Sequence, residues 1–213
     1  MSTVAASQGQ RLVLYDVPWE RYGRLLRAFD DRHVRLTYDQ GTLEIMTLSH
    51  KHEGYSYLMG RFVDVLTEEC GLPVKAGRST TFRRRKKQKG LEPDNCYWIA
   101  NERRVRGKDR INLAVDPPPD LALETDIMHS SLNRLAIYAA LRVPEVWRFT
   151  AKKLTFLVLR ANGAYESTTH SAIFPFLAPA DVIRFLQMRS TDDENTVVAA
   201  FRAWVQKQVK RHE

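Results

Sequence analysis

The chain is short of the features that announce several large classes of protein. It has two cysteines, Cys70 and Cys96, in 213 residues. That is too few for a disulfide framework or a four-cysteine zinc site, and both read as buried thiols. No run approaches the roughly 18 apolar residues needed to span a bilayer, so no membrane is expected. The N-terminus, MSTVAASQGQR, lacks the apolar core of a signal peptide, so the expected location is the cytoplasm. Neither G-x-x-x-x-G-K-[ST] nor G-x-S-x-G occurs, which removes support for a P-loop nucleotide hydrolase and for a serine hydrolase. There is no internal repeat.

Ordinary globular composition remains, 44% hydrophobic and 27% charged, with a net charge of +8. The charge is local. Six basic residues (Arg83, Arg84, Arg85, Lys86, Lys87 and Lys89) crowd one short segment, and removing them leaves only +2 for the rest. Such clusters are what a phosphate backbone attracts.

Apolar periodicity outlines a mixed α/β chain. Trp19, Tyr22, Leu26 and Phe29 predict an amphipathic helix over about 18–30. Alternation at Val34, Leu36 and Tyr38, a turn at Asp39-Gln40-Gly41, and renewed alternation at Leu43 and Ile45 predict a β-hairpin. A second helix carries Tyr55, Leu58, Met59, Phe62, Val63 and Leu66 as one stripe and stops at Gly71 and Pro73. Strands are expected near 78–83, 95–99 and 121–128. Ser130 or Ser131 then caps a helix with Leu132, Leu135 and Ala139 on its core face. Further strands follow at 146–150, 154–159 and 165–169, and a last helix has Val197, Val198, Phe201, Trp204 and Val205 as its stripe. Tyr97, Trp98, Trp147 and Phe149 lie on strands and read as core residues rather than base-stacking platforms.

The acids in this strand-rich centre are the unusual feature. Glu124 and Asp126 share one face of a strand whose other residues, Leu121, Leu123, Ile127 and Met128, argue against full exposure. Asp94 opens the preceding strand. Burying a carboxylate without a partner costs several kcal/mol, so either this strand lies at an edge with its acids in water or the acids bind something. Oxygen-rich clusters suit Mg²⁺ or Mn²⁺. His50 and His52 form an H-x-H beside Glu53, with no further spacing to support a zinc site.

The segments EPD at 92–94, PDLALETD at 119–126 and SSLNRLAIYAALRVPEVWRF at 130–149 resemble the Uma family of bacterial restriction endonucleases, in the PD-(D/E)XK nuclease superfamily. HVRLTYDQGTLEIMTLSHKHE at 33–53 and STTFRR at 79–84 are similar to that family's N-terminal half. The resemblance implies one nuclease-like domain over 1–213, with 1–15 a loosely ordered segment. Its implied core is a four-stranded mixed sheet flanked by helices, preceded by the N-terminal helix and hairpin. It implies a Mg²⁺- or Mn²⁺-dependent endonuclease on DNA, with Asp94 and Glu124 as metal ligands. Asp126 and Glu53 would assist, although Glu53 can equally serve its helix dipole. Asp120 is either a turn residue or part of the cleft. A homodimer is compatible with this reading.

The departure from the superfamily pattern is a missing lysine. The position two residues after Glu124 holds Asp126, and the migrated lysine of similar chains corresponds to Arg134, four residues before Tyr138. An arginine holds phosphate but cannot serve as a base. Alternatives are therefore the same fold with hydrolysis lost and nucleic-acid binding kept, or a protein-interaction module with the basic run as a solvated loop.

Overall fold

A computed structural model of the chain describes residues 10–29, 32, 34–47, 50–78, 80–126, 130, 132–150 and 153–212, without the side chains of His50, Lys51, Asp126 and His212. Their order is β1 (Arg11–Leu14), α1 (Trp19–Ala28), β2 (Val34–Asp39), β3 (Thr42–Thr47), α2 (His50–Glu69), β4 (Lys75–Ala76), β5 (Phe82–Arg84), β6 (Lys89–Leu91) and β7 (Asn95–Trp98). There follow α3 (Glu102–Val105), β8 (Leu121–Asp126), α4 (Arg134–Leu141), β9 (Glu145–Thr150), β10 (Lys153–Leu159), β11 (Tyr165–Thr168), α5 (Pro179–Met188) and α6 (Glu194–His212).

The strands make two sheets. The first, in the order β1-β3-β2-β6-β5, is antiparallel throughout and grows from the β2–β3 hairpin. Gln40 and Gly41 at its turn take φ of 47° and 96°, the paired positive values that a tight two-residue connection needs. The second sheet runs β11-β10-β9-β8-β7-β4 and is mixed, because β8 and β9 are parallel. That parallel pair needs a crossover, and α4 supplies it.

Each face of the second sheet has its own cover. Leu58, Met59, Phe62, Val63 and Leu66 of α2 pack on Leu121 and Leu123, with Phe185 of α5 and Phe201 of α6 behind them. Phe62 stacks on Phe201 with centroids 4.3 Å apart. The opposite face sets Cys96, Trp98 and Ala122 against Ile137, Tyr138 and Leu141 of α4. A smaller core lies under α1, where Tyr22 stacks on Tyr38 at 4.7 Å and Trp19 meets both rings edge-on. Fully burying each large apolar side chain contributes roughly 1.5–3 kcal/mol, so the three cores dominate the stability.

Three expectations need correcting. Arg11–Leu14 is a strand paired with β3, although it falls in the segment expected to be loose. The sheet has six strands where four were implied, because the short β4 and β11 extend its two edges. The cap of α4 is Asn133, whose side chain accepts from the Ala136 N–H at 3.1 Å. Ser130 instead donates to Glu44, and Ser131 lies outside the described residues.

Candidate active site

The antiparallel register of β7 on β8 pairs Asn95 with Leu123. One step further sets Asp94 opposite Glu124, on the face that also carries Cys96, Trp98 and Ala122. Directly opposed residues keep their Cβ atoms within about 5.5 Å, so two acids distant in sequence become neighbours. Asp94 Oδ2 accepts from the Thr125 N–H at 2.6 Å and lies 3.0 Å from His52 Nε2, which α2 presents from its first turn.

Glu124 is more tightly held. Arg134, the first residue of α4, grips it with both arms of its guanidinium: Nε to Oε2 at 3.0 Å and Nη2 to Oε1 at 2.6 Å. Tyr138, one helical turn later, donates its hydroxyl to the same Oε1. Arg134 also reaches the first sheet, where Nη1 donates to Thr37 Oγ1, and Nη2 donates to the Glu92 carbonyl at 2.9 Å. One buried side chain thus ties α4, β8 and the hairpin together. Charge-assisted bidentate pairs of this kind are the strong ones.

Burial, with the Asp94 charge beside it, pushes the Glu124 carboxyl above its ordinary range, while Arg134 and Tyr138 pull against that. Burial also works against the Arg134 cation, but Glu124, Tyr138 and Asp94 outweigh it and hold the guanidinium charged. Tyr138 is raised by burial and by Glu124 and stays a phenol. For His52, burial favours the neutral ring, yet its contact with Asp94, helped by Glu53 and Glu124, lifts it above an ordinary histidine.

The other sequence-predicted residues scatter. Glu53 is exposed, and its charge acts on the adjacent His52. Asp126 ends β8 opposite Thr150, and its side chain lies outside what the structure describes. Asp120 is a turn residue: its carboxylate is consumed by the backbone N–H groups of Ile99 and Asn101 and by the Asn101 amide.

The basic segment divides in the same way. Arg85–Lys87 form a 3₁₀ turn at the tip of the β5–β6 hairpin, with Lys86 and Lys87 exposed. Arg83 lies over the Trp19 ring, and Arg85 pairs with Glu20 at 2.9 Å. Arg84 donates to the Ala140 carbonyl at 2.9 Å, and Lys89 is half-buried against Asp39. Those two hold the hairpin in place.

Two acids escape the sequence reading. Glu44 sits opposite Thr37 on the hairpin face that looks at Arg134, is 1% exposed, and accepts from Ser130 at 2.6 Å. Its only signal is alternation with Leu43 and Ile45, which reads as a solvent-facing position until Ser130 and Arg134 close over that face. Glu145 is buried elsewhere, accepting from Trp147 Nε1 and from the N–H groups of Ala172 and Ile173, which is a structural role.

The donor set suits a divalent cation in kind, since Asp94 and Glu124 are paired carboxylates. Their arrangement does not suit one. Both Glu124 oxygens are committed to Arg134 and Tyr138, and a fixed cation already neutralises the site. Among the described residues, no three histidine, cysteine, aspartate or glutamate side chains converge as ligands. Glu124 answers an internal cation in place of an external one.

Two sheets and six helices among the described residues, in a mixed α/β arrangement, fit the restriction-endonuclease-like class of fold. Within it the chain belongs to the Uma2 family, described as Putative restriction endonuclease, whose match covers residues 19–190. No curated protein shows significant similarity to the chain. Among the described residues no helix is long and apolar enough to cross a membrane.

Proposed function

We propose that this protein binds DNA through the restriction-endonuclease-like fold while its hydrolytic site is held shut by an internal ion pair. One observation carries the reading: the buried guanidinium of Arg134 occupies both oxygens of Glu124, the acid that the family resemblance assigns to metal. A lysine there would bring a single point charge and could give up a proton, whereas arginine fills both oxygens as a planar fork and stays protonated. The DNA part is supported by family membership and by the exposed basic hairpin tip.

A second reading, a Mg²⁺- or Mn²⁺-dependent endonuclease using Asp94 and Glu124, is favoured by the register that sets those two acids side by side. It requires Glu124 to leave Arg134. One experiment separates the two: nicking of supercoiled plasmid with Mg²⁺ or Mn²⁺, alongside DNA binding followed by fluorescence anisotropy. The expected result is salt-dependent binding without nicking by the wild type, and nicking by Arg134→Lys that Asp94→Ala abolishes. Nicking by the wild type that Asp94→Ala removes overturns the first reading in favour of the second.

A further inference from the structure

A strongly basic hollow lies outside the acid cluster, beside the first sheet. It is an open space of about 370 Å³ between α1 and the β5–β6 hairpin, lined by Trp19, Glu20, Gly23, Arg24, Arg27, Arg83 and Arg85. Four arginines face one glutamate. Resting on the DNA-binding reading, we infer that this hollow is the main seat for the sugar-phosphate backbone, with Arg24 and Arg27 of α1 continuing the track that begins at the hairpin tip.

The hollow is built by particular residues. Arg83 crosses from β5 to lie over the Trp19 ring at 5.9 Å, with its guanidinium close against the backbone of Gly23. A Cβ at Gly23 would meet Arg83 Nη1 at 3.3 Å, tighter than ordinary contact. Glu20 and Arg24, and then Arg24 and Arg27, stand three or four residues apart, so they follow one side of α1. Arg24 and Arg27 are exposed, and no carboxylate among the described residues pairs with either. Among the described residues Arg85 pairs with Glu20 alone, with both side chains mostly in solvent. Such pairs contribute little, so a phosphate oxygen can take Arg85 over with little loss.

The chemistry selects the ligand. Guanidinium groups bind phosphate oxygens in bidentate fashion, and several spaced along a helix and a hairpin tip suit a repeating anion better than a single one. The contacts are to backbone charge and carry no base information. Lys86 and Lys87 lie at one end of this track, Arg24 and Arg27 at the other.

The test is a salt titration of binding to a short fluorescein-labelled duplex, with wild type and Arg24→Gln/Arg27→Gln compared. Each phosphate contact contributes a slope of roughly −0.9 in log K against log salt, so the double variant should be shallower by roughly 1.8. Its thermal melting should match wild type, since neither guanidinium is tied to a carboxylate. A slope unchanged in the double variant while wild type binds strongly overturns this seat and leaves the DNA-binding reading intact. Absence of salt-dependent binding by the wild type overturns both.

Discussion

Two clusters of charge sit on either side of the hairpin, and they handle arginine in opposite ways. Around Glu124 every arm of Arg134 has an acceptor, the side chain is buried, and the partners come from separate stretches of chain. Around Trp19 the arginines outnumber their acids, stand largely in solvent, and rest on an aromatic ring and a helix backbone. Desolvated charge has to be answered within the protein, whereas solvated charge is free to answer something else. By this criterion the first cluster belongs to the architecture and the second to a partner. Family membership alone would have pointed to the first as the working site.

The largest effect should come from cutting the buried pair. Arg134→Ala leaves Glu124 uncompensated and should lower stability by roughly 3–5 kcal/mol, read as a drop in the urea midpoint. Arg24→Ala, in the other cluster, should stay within about 0.5 kcal/mol. A sharper form replaces both charges, Glu124→Leu with Arg134→Met, since apolar replacement of an entire buried pair is often neutral. If the double variant were as unstable as Arg134→Ala, the pair would be more than a self-cancelling one, and the contacts to Thr37 and the Glu92 carbonyl would carry the difference. Tyr138→Phe removes one donor to a charged acceptor and should cost about 1.5–3 kcal/mol.

A smaller effect separates cap from cluster. Asn133→Ala removes the acceptor for the Ala136 N–H just ahead of Arg134. Loss of such a cap costs about 1 kcal/mol, read by thermal melting. Because the cap fixes the turn that aims Arg134, the variant should also loosen Glu124. Unchanged amide exchange at the Thr125 N–H, which Asp94 holds, would show the cluster to be independent of its helix end.

What the chain discloses before its structure divides along the same physical line. The α2 stripe from Tyr55 to Leu66 is legible because a helix buries residues close in sequence, and Glu124 stands out because an acid between apolar residues contradicts its surroundings. Arg134 is legible only through the family resemblance, since nothing local tells a buried arginine from a surface one. The pairing of His52 with Asp94 joins the start of α2 to the loop before β7, a contact no spacing rule encodes. Glu44 alternates with apolar neighbours as any exposed strand residue does; only the segment leading into α4, through Ser130 and Arg134, makes it internal. Arg11–Leu14 follows a polar stretch and has too few residues for periodicity to speak. Helix α5 escapes notice although Pro179 at its first position and the stripe Val182, Phe185 and Leu186 mark it.

The last and smallest effect tests whether the basic segment is one device or two. Lys86 and Lys87 are at the exposed turn, whereas Lys89 is tied to Asp39 between β6 and β2. Neutralising Lys86 and Lys87 together should leave the melting temperature in place and make the salt slope of DNA binding shallower by roughly 1.8, two contacts at about 0.9 each. Lys89→Met should do the reverse, because its ammonium already has a carboxylate and its stem packs in the hairpin: a stability loss of about 1 kcal/mol or less, with the slope kept. The two outcomes are read from one pair of measurements on each variant, a melt and a salt titration. If Lys89→Met flattens the slope as much as the change at the tip does, the Asp39 pair opens on binding, and the segment works as a single clamp whose inner end is released by the phosphate it grips.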